Sequence, residues 1–220
     1  MTVLASPEWR IEPGLTDYAR ALTTMDARAA AIRAGTAGEL AWLVEHPPLF
    51  TSGTSADPAE LTNPAGFPVH HAGRGGRFTY HGPGQRVGYL MLDLDARGRD
   101  IRHFVHSLEA WLIAALARLG VAARREPGRI GLWVGQGTDE AKIAAIGVRV
   151  KRWVTLHGFS VNVAPDLDHF GGIIPCGISD FGVTSLEKLG NKASMADLDA
   201  SLEAEFPIFL ANLSRSIKVT

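Results

Sequence analysis

Cysteine is nearly absent from this chain: among 220 residues there is one, Cys176. A lone cysteine closes no internal disulfide, and no Cys/His spacing here fits a zinc site. Charge of one sign is also lacking. The 22 Lys and Arg residues face 23 Asp and Glu residues, for a net charge of −1. No global basic field recruits nucleic acid or an anionic membrane. Long apolar runs are missing, which excludes a transmembrane helix, and Met1 to Arg10 carries no apolar signal-peptide core. Together with the single thiol, this leads to an expected cytoplasmic, reducing setting. Neither GxxxxGK[ST] nor the Rossmann glycine spacing occurs. No metal and no nucleotide cofactor are therefore expected. His70, His71 and His81 lack the i, i+4 placement of helical metal ligands and read as structural or substrate-binding histidines.

What is present is a 46 % hydrophobic chain without repeats, low-complexity tracts or linkers, so one domain spanning 1–220 is expected. Thr16 to Ala34 reads as a helix. Thr16 or Asp17 can cap it, Leu22, Met25, Ala29 and Ile32 give it an apolar face, and Gly35 stops it. Glu39 to Glu45 and Val87 to Leu94 read as strands, separated by a long Gly-, Pro-, Ser- and Thr-rich stretch read as a functional loop. Asp100 caps a second helix with a stripe from Phe104 to Leu119, stopped by Gly120. Ile130 to Val134, Ala141 to Val150 and Val154 to Val163 read as a three-stranded meander. Met195 to Phe206 forms a third helix, capped by Ser194 and broken or restarted at Pro207. Strands in runs with helices at the ends point to an α+β domain with a mixed, largely antiparallel sheet.

The densest motif is Arg74-Gly75-Gly76-Arg77-Phe78-Thr79-Tyr80-His81-Gly82-Pro83-Gly84-Gln85. Glycines let a ligand approach the backbone, the two arginines supply positive charge, and Thr79, Tyr80, His81 and Gln85 supply directed donors and acceptors. The combination suits a polar or anionic group beside an apolar one. Further on, Lys142 opens the apolar strand Ile143-Ala144-Ala145-Ile146, and strict alternation puts Lys142, Ala144 and Ile146 on one face. Cys176 lies in Ile174-Pro175-Cys176-Gly177, where a proline fixes one side and a glycine frees the other. It reads either as a packed core thiol or as an aimed nucleophile. In the second case a neighbouring ammonium lowers a thiol pKa from about 8.5 to the range of roughly 3.5–7.5, and Lys142 can shuttle the proton. His157 competes for that role.

Taken in order, RGGRFTYHGPGQRVGY, KIAAIGVRV, RWVTLHGFSVNV and IIPCGI, followed by Val183-Thr184-Ser185-Leu186, resemble the lipoyl(octanoyl) transferase family over about residues 70–187. The resemblance implies the fold of the lipoate and biotin protein ligase catalytic domains. It implies an acyltransferase that takes octanoyl from octanoyl-acyl carrier protein onto Cys176 as a thioester. The acyl group then passes to a lysine ε-amine on the lipoyl domains of dehydrogenase E2 subunits or on the glycine-cleavage H protein. In the same terms, Lys142 is the lysine that tunes the cysteine. The substrate-binding segments fall on Arg74, Gly75, Gly76, Arg77, Phe78, Thr79, Tyr80 and His81, on Ala145, Ile146 and Gly147, and on Gly158, Phe159 and Ser160. Ser160 stands where the family more often has alanine.

A monomer is expected, and no ATP, because thioester exchange followed by aminolysis runs downhill. An acidic carrier protein would favour a basic patch, for which Arg124, Arg125, Arg129, Arg149, Lys151 and Arg152 are the candidates. The competing readings are an ATP-dependent lipoate–protein ligase on the same fold, an octanoyl amidotransferase between lipoyl proteins, and a non-catalytic acyl- or peptide-binding module.

Overall fold

The computed structural model describes residues 5–173 and 182–214. Cys176, with its Pro-Cys-Gly turn, lies outside the described residues. The chain opens with β1 (Glu8–Leu15), α1 (Tyr18–Ala34) and β2 (Leu40–Glu45). Asp17 is the N-cap of α1, accepting from the Arg20 N–H at 2.8 Å, and Gly35 ends the helix in the left-handed region at φ 70°. Next come β3 (Leu49–Ser52), β4 (Val69–His71), β5 (Phe78–His81) and β6 (Gln85–Met91). Helix α2 (Ile101–Arg118) starts at the Asp100 cap and is followed by β7 (Arg124–Glu126), β8 (Arg129–Val134), β9 (Ala141–Lys151) and β10 (Val154–Asn162). The described chain resumes with β11 (Gly182–Val183) and closes with α3 (Met195–Leu213).

The main sheet runs β1-β2-β6-β10-β9-β8-β7. Within this sheet, among the described residues, β1 on β2 and β11 on β9 are parallel and the other pairings are antiparallel. Its central strands β2, β6 and β10 bury both faces. Leu40, Trp42 and Val44 of β2, with Tyr89 and Met91 of β6, meet Ala21, Met25, Ala29 and Ile32 of α1. On the opposite face Ala41, Leu43, Leu90, Phe159 and Val161 pack against α2 and α3. The period-2 alternation of β2 and β6 thus makes a three-layer α/sheet/α sandwich around two cores. No helix among the described residues is long and apolar enough to cross a membrane.

Three sequence expectations are corrected. The stretch between β2 and β6 is not a structureless loop: β4, β3 and β5 pair within it as a second small sheet. These strands are three or four residues long, too short to show a period, and they form because Phe50, Phe78 and Tyr80 bury together with Phe170 and Ile173. Second, α3 runs unbroken through Pro207. The proline sits on the exposed side, where water can serve the freed Glu203 carbonyl, while Phe206, Phe209 and Leu213 bury on the other side against Trp111 and Phe104. Third, strict alternation fails at the start of β9. Leu132 faces Ala144 while Trp133 faces Lys142, so β9 carries one extra residue there. Ile143 and Ala144 consequently both enter the core, at 0 % and 1 % exposure.

Candidate active site

The Gly-rich segment from Arg74 crosses the sheet where β9 and β10 run side by side, and the Gly75 N–H donates to the Val148 carbonyl at 3.1 Å. Beneath it lies a cavity of about 410 Å³. Of the sequence-predicted substrate-binding positions, residues 74–79, 81, 145–147 and 158–160 line this cavity, together with Lys142 and His157. Tyr80 does not line it. Its ring packs in the cluster with Phe50, Phe67 and Phe170, and its hydroxyl meets His169 Nδ1 at 2.8 Å.

The arginines of the loop are engaged with the protein. Arg74 is buried, and its Nη2 donates to the Thr51 hydroxyl at 2.7 Å and the Thr51 carbonyl at 3.1 Å. Its Nη1 donates to the carbonyls of Gly75 and Arg77, both at 3.0 Å. The guanidinium fork therefore staples the loop to β3, because its donors match several carbonyls at once. Gly147 makes room for it: a Cβ there would stand 2.7 Å from Arg74 Cδ. Arg77 pairs with Glu60.

Three buried histidines stay neutral. His46 has Thr16 O at 2.6 Å from Nδ1, and a carbonyl only accepts, so Nδ1 carries the hydrogen. Nε2 then accepts from the Tyr89 hydroxyl at 2.6 Å. Burial lowers the His46 pKa and raises that of Tyr89 well above its usual value. Burial, followed by the neighbouring His46, pushes His81 down to about 3. His81 Nδ1 donates to Gln85 Oε1 at 2.6 Å, Gln85 Nε2 donates to Asn162 Oδ1 at 2.9 Å, and Asn162 Nδ2 donates to the Thr184 carbonyl at 2.9 Å. This relay ties the Gly-rich loop to the chain just after β11. His157, at φ 61° inside β10, is pushed down to about 4 by burial and then by Arg74.

Lys142 and His157 do not share one end of the cavity. His157 pairs with Val148, six residues along β9 from Lys142, which is about 20 Å of strand. The Lys142 end is where β11 begins: Val183 pairs with Lys142, and the Thr184 N–H donates to the Lys142 carbonyl at 3.0 Å. Apolar walls from Phe78, Ile146, Val148 and Phe159 connect the two ends. Such a space suits an extended apolar group along its length, with the Lys142 amine at one end. Among the described residues no three His, Cys, Asp or Glu gather as metal ligands. Tyr18, Tyr89, Trp133 and Asn162 also line the cavity. Tyr89 and Asn162 stand inside the motifs quoted above but carry no chemistry that singles them out there, while Tyr18 and Trp133 stand in no motif and are brought in by the pairing of their elements.

The expected basic patch is largely neutralised. Arg124 and Arg129 both pair with Glu140, Arg125 pairs with Glu109, and Lys151 pairs with Asp26.

Comparison with known proteins agrees with this architecture. Residues 17–207 match the lipoyl protein ligase A/B catalytic domain. An octanoyltransferase of Rhizorhabdus wittichii is 61 % identical over 218 residues, covering 99 % of this chain and 98 % of that protein. Another, from Sphingopyxis alaskensis, is 63 % identical over 217 residues, covering 98 % of this chain and all of that protein. Among solved structures, lipoate–protein ligase A bound with ATP superposes with a TM-score of 0.70 at 17 % identity, covering 93 % of this chain and 86 % of that one. The bipartite lipoate protein ligase of Thermoplasma acidophilum gives 0.69 at 16 % identity, with 94 % and 85 % coverage, so the fold is shared. A Gly-rich loop stapled over a cavity with apolar walls, this fold, and full-length identity near 60 % to octanoyltransferases have one reading: the chain belongs to the lipoyl protein ligase A/B catalytic-domain family, within its octanoyltransferase branch.

Proposed function

We propose that this acyltransferase moves octanoyl from octanoyl-acyl carrier protein to the lysine ε-amine of lipoyl-bearing proteins through an S-octanoyl enzyme at Cys176. The observation that carries the reading is Lys142, an amine that lines the cavity where β11 joins β9. In the first step the Cys176 thiolate attacks the thioester carbonyl. Lys142 holds the proton taken from the thiol and returns it to the leaving carrier thiol. In the second step the acceptor amine attacks the enzyme thioester, its proton passes to Lys142, and the cysteine thiolate departs as the amide forms. Each step exchanges one acyl bond for another, so no ATP is consumed. The loop and strand segments at 74–79, 145–147 and 158–160 hold the acyl chain and keep the carbonyl oriented. The acceptors are the lipoyl domains of dehydrogenase E2 subunits and the H protein, and the enzyme works as a cytoplasmic monomer.

Intact mass after incubation with octanoyl-acyl carrier protein tests the scheme. One octanoyl group should add to the wild-type chain, with EDTA present and ATP absent, and none should add to Cys176→Ala. Cys176→Ser should also fail to turn over, because a hydroxyl is scarcely ionised at neutral pH. Normal transfer by Cys176→Ala would end the reading. Transfer from free octanoate that requires ATP and Mg²⁺ would replace it with the ligase chemistry of the fold neighbours.

A further inference from the structure

We propose that Trp133, with Gly131 beside it, is the positioning residue for the Lys142 ammonium. The proposal rests on the proton-transfer role given to Lys142 above. Trp133 of β8 stands directly opposite Lys142 of β9, at the point where the extra β9 residue shifts the register. The Lys142 Nζ lies 4.8 Å from the indole centroid. The face of an indole attracts a cation, most strongly when water is excluded, and this ring is 3 % exposed. The ring is itself held. Its Nε1 donates to the Arg129 carbonyl at 3.3 Å, and the Arg129 guanidinium carbon sits 4.4 Å from the same centroid. Arg129 is fixed in turn by Glu140 at 2.6 Å.

Gly131 supplies the path. It adopts φ 113°, and a Cβ there would stand 3.3 Å from Lys142 Cε, 3.6 Å from Cδ and 2.6 Å from the Ala144 carbonyl oxygen. Any other residue at 131 would crowd the lysine stem. A lysine side chain has four rotatable carbons and no fixed direction of its own. Gly131 and Trp133 both border the Lys142 side chain and form a slot that gives it one. Both Trp133 and Lys142 line the cavity, so the slot points the ammonium at the acyl group rather than at solvent.

A double-mutant cycle tests this, with Trp133→Leu, Trp133→Phe, Lys142→Ala and Trp133→Leu combined with Lys142→Ala. Trp133→Leu should lower kcat about tenfold while KM for the acceptor domain changes little, and Trp133→Phe should restore most of the loss. In the Lys142→Ala background Trp133→Leu should cost nothing further. Separately, the Lys142 Hε resonances should be shifted upfield by the ring in wild type and in Trp133→Phe, and not in Trp133→Leu. This signal reads position without reference to catalysis. Equal losses in the Phe and Leu variants, an undiminished Trp133→Leu loss without Lys142, or unshifted Hε resonances in wild type would each overturn the proposal. Full turnover by Lys142→Ala with shifted Hε resonances would remove the proton-transfer role and leave the slot in place.

Discussion

At the scale of single residues, the neutral histidines have a consequence for stability. Burial holds His81 at about 3 and His157 at about 4 in the folded chain, against about 6.5 when unfolded. The unfolded chain therefore binds these protons first. Stability from this source is full above about pH 6.5 and declines as pH falls toward the folded values. Urea midpoints measured from neutral pH down to about 5 should fall, and His81→Gln should make the fall shallower. A flat profile in wild type would show that the imidazoles protonate freely inside the fold. In the sequence the expected binding positions lie in three separate segments, and in the fold nearly all of them surround one cavity. Tyr80 packs instead with Phe50 and Phe170, a contact that depends on the pairing of β5 with β3, and nothing in the sequence announces those short strands.

At the scale of elements, the periodic segments were readable and the short ones were not. Helix α2 begins at its predicted Asp100 cap, and the expected β8–β9–β10 meander forms. The bulge in β9 was invisible, since it depends on how Leu132 and Trp133 meet the facing strand. Strand β1 was missed as well. Pro13 and Gly14 interrupt its pattern, and its Ile11 and Leu15 are exposed, so no buried face marks it. Helix α3 survives Pro207 because aromatic packing on its inner face outweighs one lost hydrogen bond. Pro207→Ala should accordingly stabilise the protein by about 1–3 kcal/mol, read as a higher Tm, with transfer unchanged. A lower Tm would mean that the proline shapes the packing instead of straining it.

At the scale of the whole molecule, one buried ion pair joins two layers. Arg86 of β6 donates from Nε and Nη2 to Asp199 of α3 at 2.8 and 2.7 Å, with both side chains under 10 % exposed. Burial raises the Asp199 pKa, and the bidentate Arg86 opposes that shift. Asp199→Ala leaves a guanidinium buried without its carboxylate and should cost about 3–5 kcal/mol in denaturant unfolding. A loss below about 1 kcal/mol would mean that water reaches Arg86. The surface arginines obey different rules. Arg124, Arg125, Arg129 and Lys151 each already face a carboxylate, so these four cations project little field beyond the roughly 8 Å Debye length of physiological salt. They do little to steer an acidic partner. Any strong ionic-strength dependence of its association rate reports on other cations of the enzyme.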